Sequence, residues 1–495
     1  MTEGGHDSLR ARTLSGLGWS GFSQVLRQAL QFGISILLAR ILAPNDFGLL
    51  AMVLVFAGFA STISDLGLSA ALIQRKKIQP GHVSTAFCLQ LTFAAVLSAL
   101  LAATAPWIAS FYDAPALAGV SYGLAPTFLL HALGSVPIAL LLRRMAFRSL
   151  ALIEATSILV SGGAAVVLAL NGWGIWSLVA QALLAAFITA ALAWQQSRWR
   201  PCLAFSMEAW RELRRFSSAL TGFNVINYWI RNLDNLIVGK FIGTTALGLY
   251  SRAYGMMIFP IRQVGDIVSR VMLPAMSSIQ DQNERFREIY LKSTRTIALI
   301  TFPFMAGMAV LADLIIVLLY GRPWSAAADI LRLLTVVGLL QSIGTTIGWI
   351  YSAKGRTDIM FYFSLFSGAV YSAAFLVGVR WGVQGVAAAY ALSFVGCVWY
   401  PSWTLAGRLI GLRFSRQARN LGKIFCCTVL MAGALTGLRQ LPCFQEDMPS
   451  LLALTASGAV LYFIAIRISR EAAYHELVLL LREQLAARGR RAQVR

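Results

Sequence analysis

Apolar positions in this chain come in long, nearly unbroken runs. They show neither the alternation of a half-buried strand nor the narrow stripe of a surface helix. Fourteen runs cover residues 13–39, 47–74, 83–110, 117–141, 150–170, 173–194, 217–239, 247–276, 296–319, 325–352, 358–379, 382–407, 421–438 and 449–466. About 20 apolar residues in a helix span the ~30 Å hydrocarbon core of a bilayer. Inside lipid, each backbone polar group must be satisfied within the protein, which makes such runs helices. The expected fold is an all-α integral membrane protein of about fourteen transmembrane helices. The first run is too long for a leader's apolar segment and no small-residue cleavage site follows it, so no cleavable signal peptide is expected.

The polar segments between the runs are short and unequal in charge. One alternate set comprises the N-terminus, 75–82, 142–149, 195–216, 277–293, 354–357, 408–423 and the tail from 467; it holds 30 Lys and Arg. The opposite set comprises 40–46, 111–116, 171–172, 240–246, 320–324, Arg380 and 439–448; it holds 5. The positive-inside rule places the first set, and both termini, in the cytoplasm. A missed or extra helix would scramble this contrast. The net charge of +21 therefore reads as basic loops on anionic lipid, not as a nucleic-acid site. With 58% hydrophobic and only 13% charged residues, the 495-residue chain is excluded as a soluble enzyme, a secreted module or a disordered protein. Cys88, Cys202, Cys397, Cys426, Cys427 and Cys443 lack metal-like spacing, and the histidines are scattered. No metal and no cofactor is expected. Two basic stretches, around Met207, Trp210 and Leu213 and around Leu477, Leu481 and Leu485, read as interfacial helices.

An internal repeat organises the runs. LLARILAPNDFGLL at 37–50 matches IVGKFIGTTALGLY at 237–250, with Arg40 over Lys240 and Gly48 over Gly248. That offset equals six runs. Residues 1–200 and 201–411 are accordingly expected as two six-helix lobes, 412–466 as two additional helices and 467–495 as a basic cytoplasmic tail. Repeats of this kind are a signature of transporters, with a central site lined by both lobes.

Polar residues inside the runs carry the candidate chemistry. Ser20, Gln24, Arg27, Gln31 and Ser35 fall on one helical face. In the seventh run Asn224, Asn227, Arg231, Asp234 and Asn235 form another, and at the repeat offset Gln24 meets Asn224, Arg27 meets Asn227, Gln31 meets Arg231 and Ser35 meets Asn235. An arginine at bilayer depth costs at least ~2.5 kcal/mol, so it faces a cavity or a partner. Arg231 and Asp234 could instead form a packed structural pair. Arg262, Asp266 and Arg270 share one face of the eighth run, either as a self-neutralising ladder or as further cavity cations. Asp65, Asp234 and Asp266 are candidates for coupling to a cation; Asp65 and Asp313 could equally cap or pair locally. Guanidinium forks suit phosphate oxygens, so the stripes favour a phosphate-bearing solute over an organic cation.

The stretch from Asp234 to Gln280, with its DNLIVG, LGLYSRAY and SRVMLPAMS elements, resembles the polysaccharide exporter branch, the O-antigen (Wzx-type) flippases, of the multidrug/oligosaccharidyl-lipid/polysaccharide exporter superfamily. LARILAPNDFGLLAMVLVF, SDLGLSAALIQ, GRPWSAAADILRLL and YSAKGRTD are similar to the same family. The resemblance implies a V-shaped, two-lobed bundle working by alternating access. It implies a non-enzymatic flippase that moves a polyprenyl-diphosphate-linked oligosaccharide across the inner membrane for exopolysaccharide, capsule or lipopolysaccharide synthesis. Arg27, Arg231, Arg262 and Arg270, with Gln24, Gln31, Asn224, Asn227 and Asn235, would then hold the diphosphate and line the cavity. Membrane lipids and a downstream polysaccharide polymerase are the implied partners, and a monomer is expected because two lobes in one chain complete the cavity. Two alternatives stand beside it: a cation-coupled multidrug antiporter of the same superfamily, and a membrane polysaccharide polymerase or glycosyltransferase. The second would need acids or histidines on a sizeable outer loop, and the longest outer loop expected, 439–448, offers Glu446 and Asp447.

Overall fold

The computed structural model describes residue 24 and residues 26–64, 68–74, 78–201, 205–207, 228–442 and 444–469. Among the described residues there is no strand. The helices are α1 (26–41), α2 (Pro44–Ser64), α3 (Leu68–Gln74), α4 (Pro80–Phe111), α5 (Ala116–Leu124), α6 (Pro126–Arg143), α7 (Phe147–Leu170), α8 (Ile175–Ser197), α9 (228–241) and α10 (Thr244–Ser277). They continue as α11 (Asn283–Val310), α12 (Ala312–Tyr320), α13 (Ala327–Gly344), α14 (Ile347–Ala353), α15 (Thr357–Gly378), α16 (Gly382–Ser393), α17 (Tyr400–Ile410), α18 (Phe414–Arg439) and α19 (Met448–Ile468). Among the described residues ten segments are long and apolar enough to cross a membrane. One of them, Thr357–Ile410, is 54 residues long and contains two of the expected runs. The protein is an all-α, multi-pass membrane protein.

Within the described residues the expected runs lie on helices, and the departures have local causes. α11 begins at Asn283 rather than at 296, because a helix continues through polar residues once it leaves the apolar slab. The run 117–141 is divided at Ala125, where Pro126 opens α6 at the position that needs no N–H donor. Both proposed surface stretches, at 207–215 and 470–492, fall almost wholly outside the described residues.

The chain divides into two compact units, Met1–Gly248 and Leu249–Arg495. In the first unit the short loops that share a side by charge counting also meet in space. Lys240 reaches Asp113 at 2.8 Å, Thr244 bonds to Asn45, and Gly174 sits 3.5 Å from the Asp46 carboxylate when given a Cβ. At the other end Arg143 donates to the Leu72 carbonyl at 3.1 Å and Arg144 to the Ser197 carbonyl at 3.0 Å. These arginines satisfy carbonyls that helix C-termini leave open. In the second unit Lys354 bonds to Asn283 at 2.6 Å and Arg287 to the Gly411 carbonyl at 3.2 Å, again joining basic loops to one another.

The repeat-matched glycines are a packing device. A Cβ on Gly48 would lie 1.8 Å from the Thr244 carbonyl oxygen, and a Cβ on Gly248 would lie 1.9 Å from that of Pro44. Pro44 and Thr244 are themselves matched at the same offset. The first turns of α2 and α10 thus cross backbone to backbone through a reciprocal contact. Small residues permit such close crossings in membranes, where packing replaces the hydrophobic drive.

Candidate functional site

Arg27 is the best-defined member of the polar stripes. It projects from α1 and donates from Nη1 to Glu154 Oε1 of α7 at 3.1 Å, and from Nη2 to Gln24 Oε1. The two charged side chains are 33% and 43% exposed, so neither is sealed into the helix packing. α1 and α7 are brought together by a close approach: a Cβ on Gly162 would meet the Ile34 side chain at 2.2 Å. The contacts Arg27–Glu154 and Ile34–Gly162 advance in the same chain direction. The two helices therefore run parallel, as the first and fifth spans of an alternating series must.

Glu154 is the residue that sequence reading passes over. Its signal was available: between Arg148 and Arg198 it is the only charged residue. Ser157 and Ser161 follow it at i+3 and i+7 on α7. Ser157 donates to the Ala185 carbonyl at 2.9 Å and accepts from Thr189 at 2.9 Å, so that part of the stripe is used in packing α7 on α8. Glu154 stands at the open end of it. A guanidinium has five N–H donors, and the two bonds to Gln24 and Glu154 leave Arg27 with capacity for an oxyanion.

The other expected site residues are less gathered. Gln31 and Arg231 are exposed, Asn235 is half-buried, and Asp234 is buried. Asp234 accepts the Asn235 backbone N–H at 2.8 Å. Arg231 and Asp234 thus occupy different environments on one helix. α9 is anchored to α2 by Tyr228, whose hydroxyl donates to the carbonyls of Leu54 and Val55 at 3.0 and 2.8 Å. Arg262 is exposed on α10. Asn224, Asn227 and Asp65 lie outside the described residues, as do the side chains of Asp266 and Arg270.

Asp313, expected either to couple to a cation or to pair locally, pairs. Its Oδ2 accepts from Arg332 and, at 2.9 Å, from Arg439. Arg332 also reaches Asp329 at 2.7 Å, Arg439 reaches the Val310 carbonyl at 2.7 Å, and Gln384 reaches Asp329 at 3.2 Å. This network ties together α11, α12, α13, α16 and α18 at helix ends.

Residues 37–329 match the family described as Polysaccharide biosynthesis protein. The chain is 31% identical to the lipopolysaccharide biosynthesis protein WzxC of Escherichia coli (strain K12), over 78% of this chain and 79% of that protein. It is 27% identical to the succinoglycan biosynthesis transport protein ExoT of Rhizobium meliloti (strain 1021), over 95% of this chain and 96% of that protein. Among solved structures, the lipid II flippase MurJ in an inward closed conformation superposes with a TM-score of 0.74 at 14% identity, over 93% of this chain and 99% of that one. At that identity the likeness is one of fold.

Proposed function

The chain belongs to the polysaccharide biosynthesis protein family, and from that premise we propose that it is a flippase for a polyprenyl-diphosphate-linked oligosaccharide. In this reading it works by alternating access in the inner membrane, carrying the repeat unit from the cytoplasmic to the outer leaflet without a chemical step. It does so as a monomer with both termini cytoplasmic, and hands its cargo to a downstream polymerase. Its fourteen membrane spans comprise two six-helix lobes, 1–200 and 201–411, and two further helices in 412–466, followed by 467–495 as a basic tail.

The observation that carries this reading is the Arg27–Glu154 pair. It sets a guanidinium with spare donors inside a membrane unit, held by a single carboxylate that an incoming diphosphate can displace. Arg231, Arg262 and Arg270 extend the cationic lining; Gln24, Gln31, Asn224, Asn227 and Asn235 offer amides to sugar and phosphate oxygens. The membrane potential adds about 2.3 kcal/mol per charge per 100 mV, and with the outside positive it drives an anion outward. Asp65, Asp234 and Asp266 are then available for coupling to a counter-ion.

The test is a deletion strain assayed for lipid-linked sugar sorted by leaflet. Accumulation on the cytoplasmic side with loss of surface polysaccharide supports the reading. Unchanged lipid-linked pools and normal surface polysaccharide refute it. Glu154 also gives some footing to a second reading, cation-coupled multidrug antiport, because a protonatable carboxylate inside a membrane unit is what such coupling needs. Altered drug susceptibility with polysaccharide intact would favour that alternative.

A further inference from the structure

The second unit holds a cationic feature of a different kind. Between the N-terminal parts of α11 and α18 lies a cavity of about 600 Å³. Its walls carry Lys292 and Arg295 from α11 and Arg416 and Arg419 from α18, against one acid, Glu288. Asn420 joins the two walls: it accepts from Arg295 Nε at 3.0 Å and donates to the Leu291 carbonyl at 3.0 Å.

These cations sit against the local electrostatics. Arg416 and Arg419 lie in the opening turns of α18, whose first turn contains no acid. The positive end of a helix dipole disfavours cations there. These cations therefore do not stabilise the start of α18, whereas an anion bound beside them would. The resulting field, four cations plus a helix N-terminus, is complementary to an anion.

About 6 Å further along α11, one turn at 1.5 Å per residue, the chemistry reverses. Leu299 and Phe304 of α11, Met431 of α18, and Tyr462 and Phe463 of α19 line an apolar cavity of about 640 Å³. Phe304 and Phe463 are 50% and 46% exposed, as rings that face lipid are. A basic mouth followed by an apolar trough on the same helices has the outline of an amphiphile. The basic mouth lies on the side that holds the 30 Lys and Arg, where anionic headgroups are concentrated.

We propose that α11, α18 and α19 form a binding site for an anionic phospholipid, with the phosphate in the Lys292–Arg295–Arg416–Arg419 cavity and an acyl chain in the apolar cavity. The site is independent of which solute the protein moves. Its occupant is a resident lipid, not the cargo, although both carry phosphate.

Native mass spectrometry of the full-length protein, titrated with phosphatidylglycerol, phosphatidylethanolamine and undecaprenyl phosphate, tests this directly. The expected result is selective retention of phosphatidylglycerol, weakened by added salt. Replacing Lys292, Arg416 and Arg419 by Gln should cost on the order of fivefold in affinity per cation removed. Arg416→Lys with Arg419→Lys should retain binding, and Ala459→Phe, which fills the apolar cavity, should weaken it. Equal retention of the two phospholipids, or unchanged affinity in the Gln variant, overturns the proposal. So does displacement of phosphatidylglycerol by stoichiometric undecaprenyl phosphate, which would make the carrier the occupant. If the Gln variant fails to insert, the salt titration of the unaltered protein decides: salt-insensitive binding rejects the site.

Discussion

Two groups of half-buried arginines answer the same physical problem in different ways. In the first unit, Arg27 meets one carboxylate, Glu154, and one amide, Gln24. In the second, Arg332 and Arg439 share Asp313, Arg332 adds Asp329, and Arg439 adds a backbone carbonyl. Exposure does not separate them: Arg27 and Arg439 are both 33% exposed, and Asp313 is 38% exposed. Connectivity and depth do. Glu154 is the eighth residue of the 24-residue α7, inside the span, whereas Asp313 is the second residue of α12 and Arg439 the last of α18. The network is closed and sits at helix ends, where it fastens five helices. The pair joins two helices within a span through one carboxylate and one amide.

The largest effect expected from this contrast is at Arg27. Arg27→Ala should lower export of lipid-linked sugar by about 100-fold, since a charge-assisted hydrogen bond is worth ~1.5–3 kcal/mol and a bidentate one more. The protein should still reach the membrane, and surface polysaccharide together with protein level in membrane fractions reads both quantities. Exchanging the charges, Arg27→Glu with Glu154→Arg, sharpens the point. It should preserve protein level, because the pair is restored, yet leave export as low as in Arg27→Ala. Normal export by the exchanged protein would make the pair structural, like its counterpart in the second unit.

Glu154→Gln comes next, at about a tenfold loss of export. In the proposed flippase reading, Arg27 without the carboxylate would bind diphosphate more firmly and release it more slowly. Substrate affinity should therefore rise while the transport rate falls, an opposition that a purely structural Glu154 would not produce. Binding of undecaprenyl diphosphate to purified protein, beside the rate of flipping in vesicles, measures the two separately.

These residues also mark where sequence reading succeeds and where it stops. Hydropathy located the helices because bilayer thickness and backbone satisfaction act on each segment separately. Charge alternation was legible for the same reason, and the meeting of Lys240 with Asp113 and of Lys354 with Asn283 agrees with it. The periodicity of Gln24, Arg27 and Gln31 identified a face but not what opposes it, because Glu154 is 127 residues away. Asp313 was ambiguous for the same reason: Arg439 lies 126 residues on. The match of Gly48 to Gly248 was visible as text; that the two helix starts cross through them is a tertiary fact.

In the closed network the expected effect is on stability. Asp313→Asn removes the shared anion from two arginines that water already screens. A loss of about 1 kcal/mol is expected, or roughly 1–2 °C in thermal unfolding, with export unchanged at permissive temperature. Loss of export at full protein level would erase the distinction between the two groups of arginines.

The smallest effect lies just beyond Arg439, where the loop re-enters the membrane as α19. Asp447 caps that helix by accepting the Ser450 backbone N–H at 2.9 Å, and hydrogen bonds from Ser450 hold its carboxyl below the usual carboxylate range. A depressed carboxyl contributes its stability in full above the unfolded value of about 3.9, and loses it as pH falls through the lower folded value. The first turn of α19 should therefore be protected at neutral pH and should fray below about pH 4. Asp447→Asn keeps a good N-cap acceptor without the titration, so its protection should not change with pH; Asp447→Ala should fray at every pH. Hydrogen exchange across Ser450–Leu454 separates the three proteins. Equal exchange in all of them would mean that the turn is held by Ser450 alone, whose hydroxyl accepts the Gln445 N–H at 3.1 Å. The loop beyond the arginine network would then be fastened from its own side, without help from the charged residues of the helix ends.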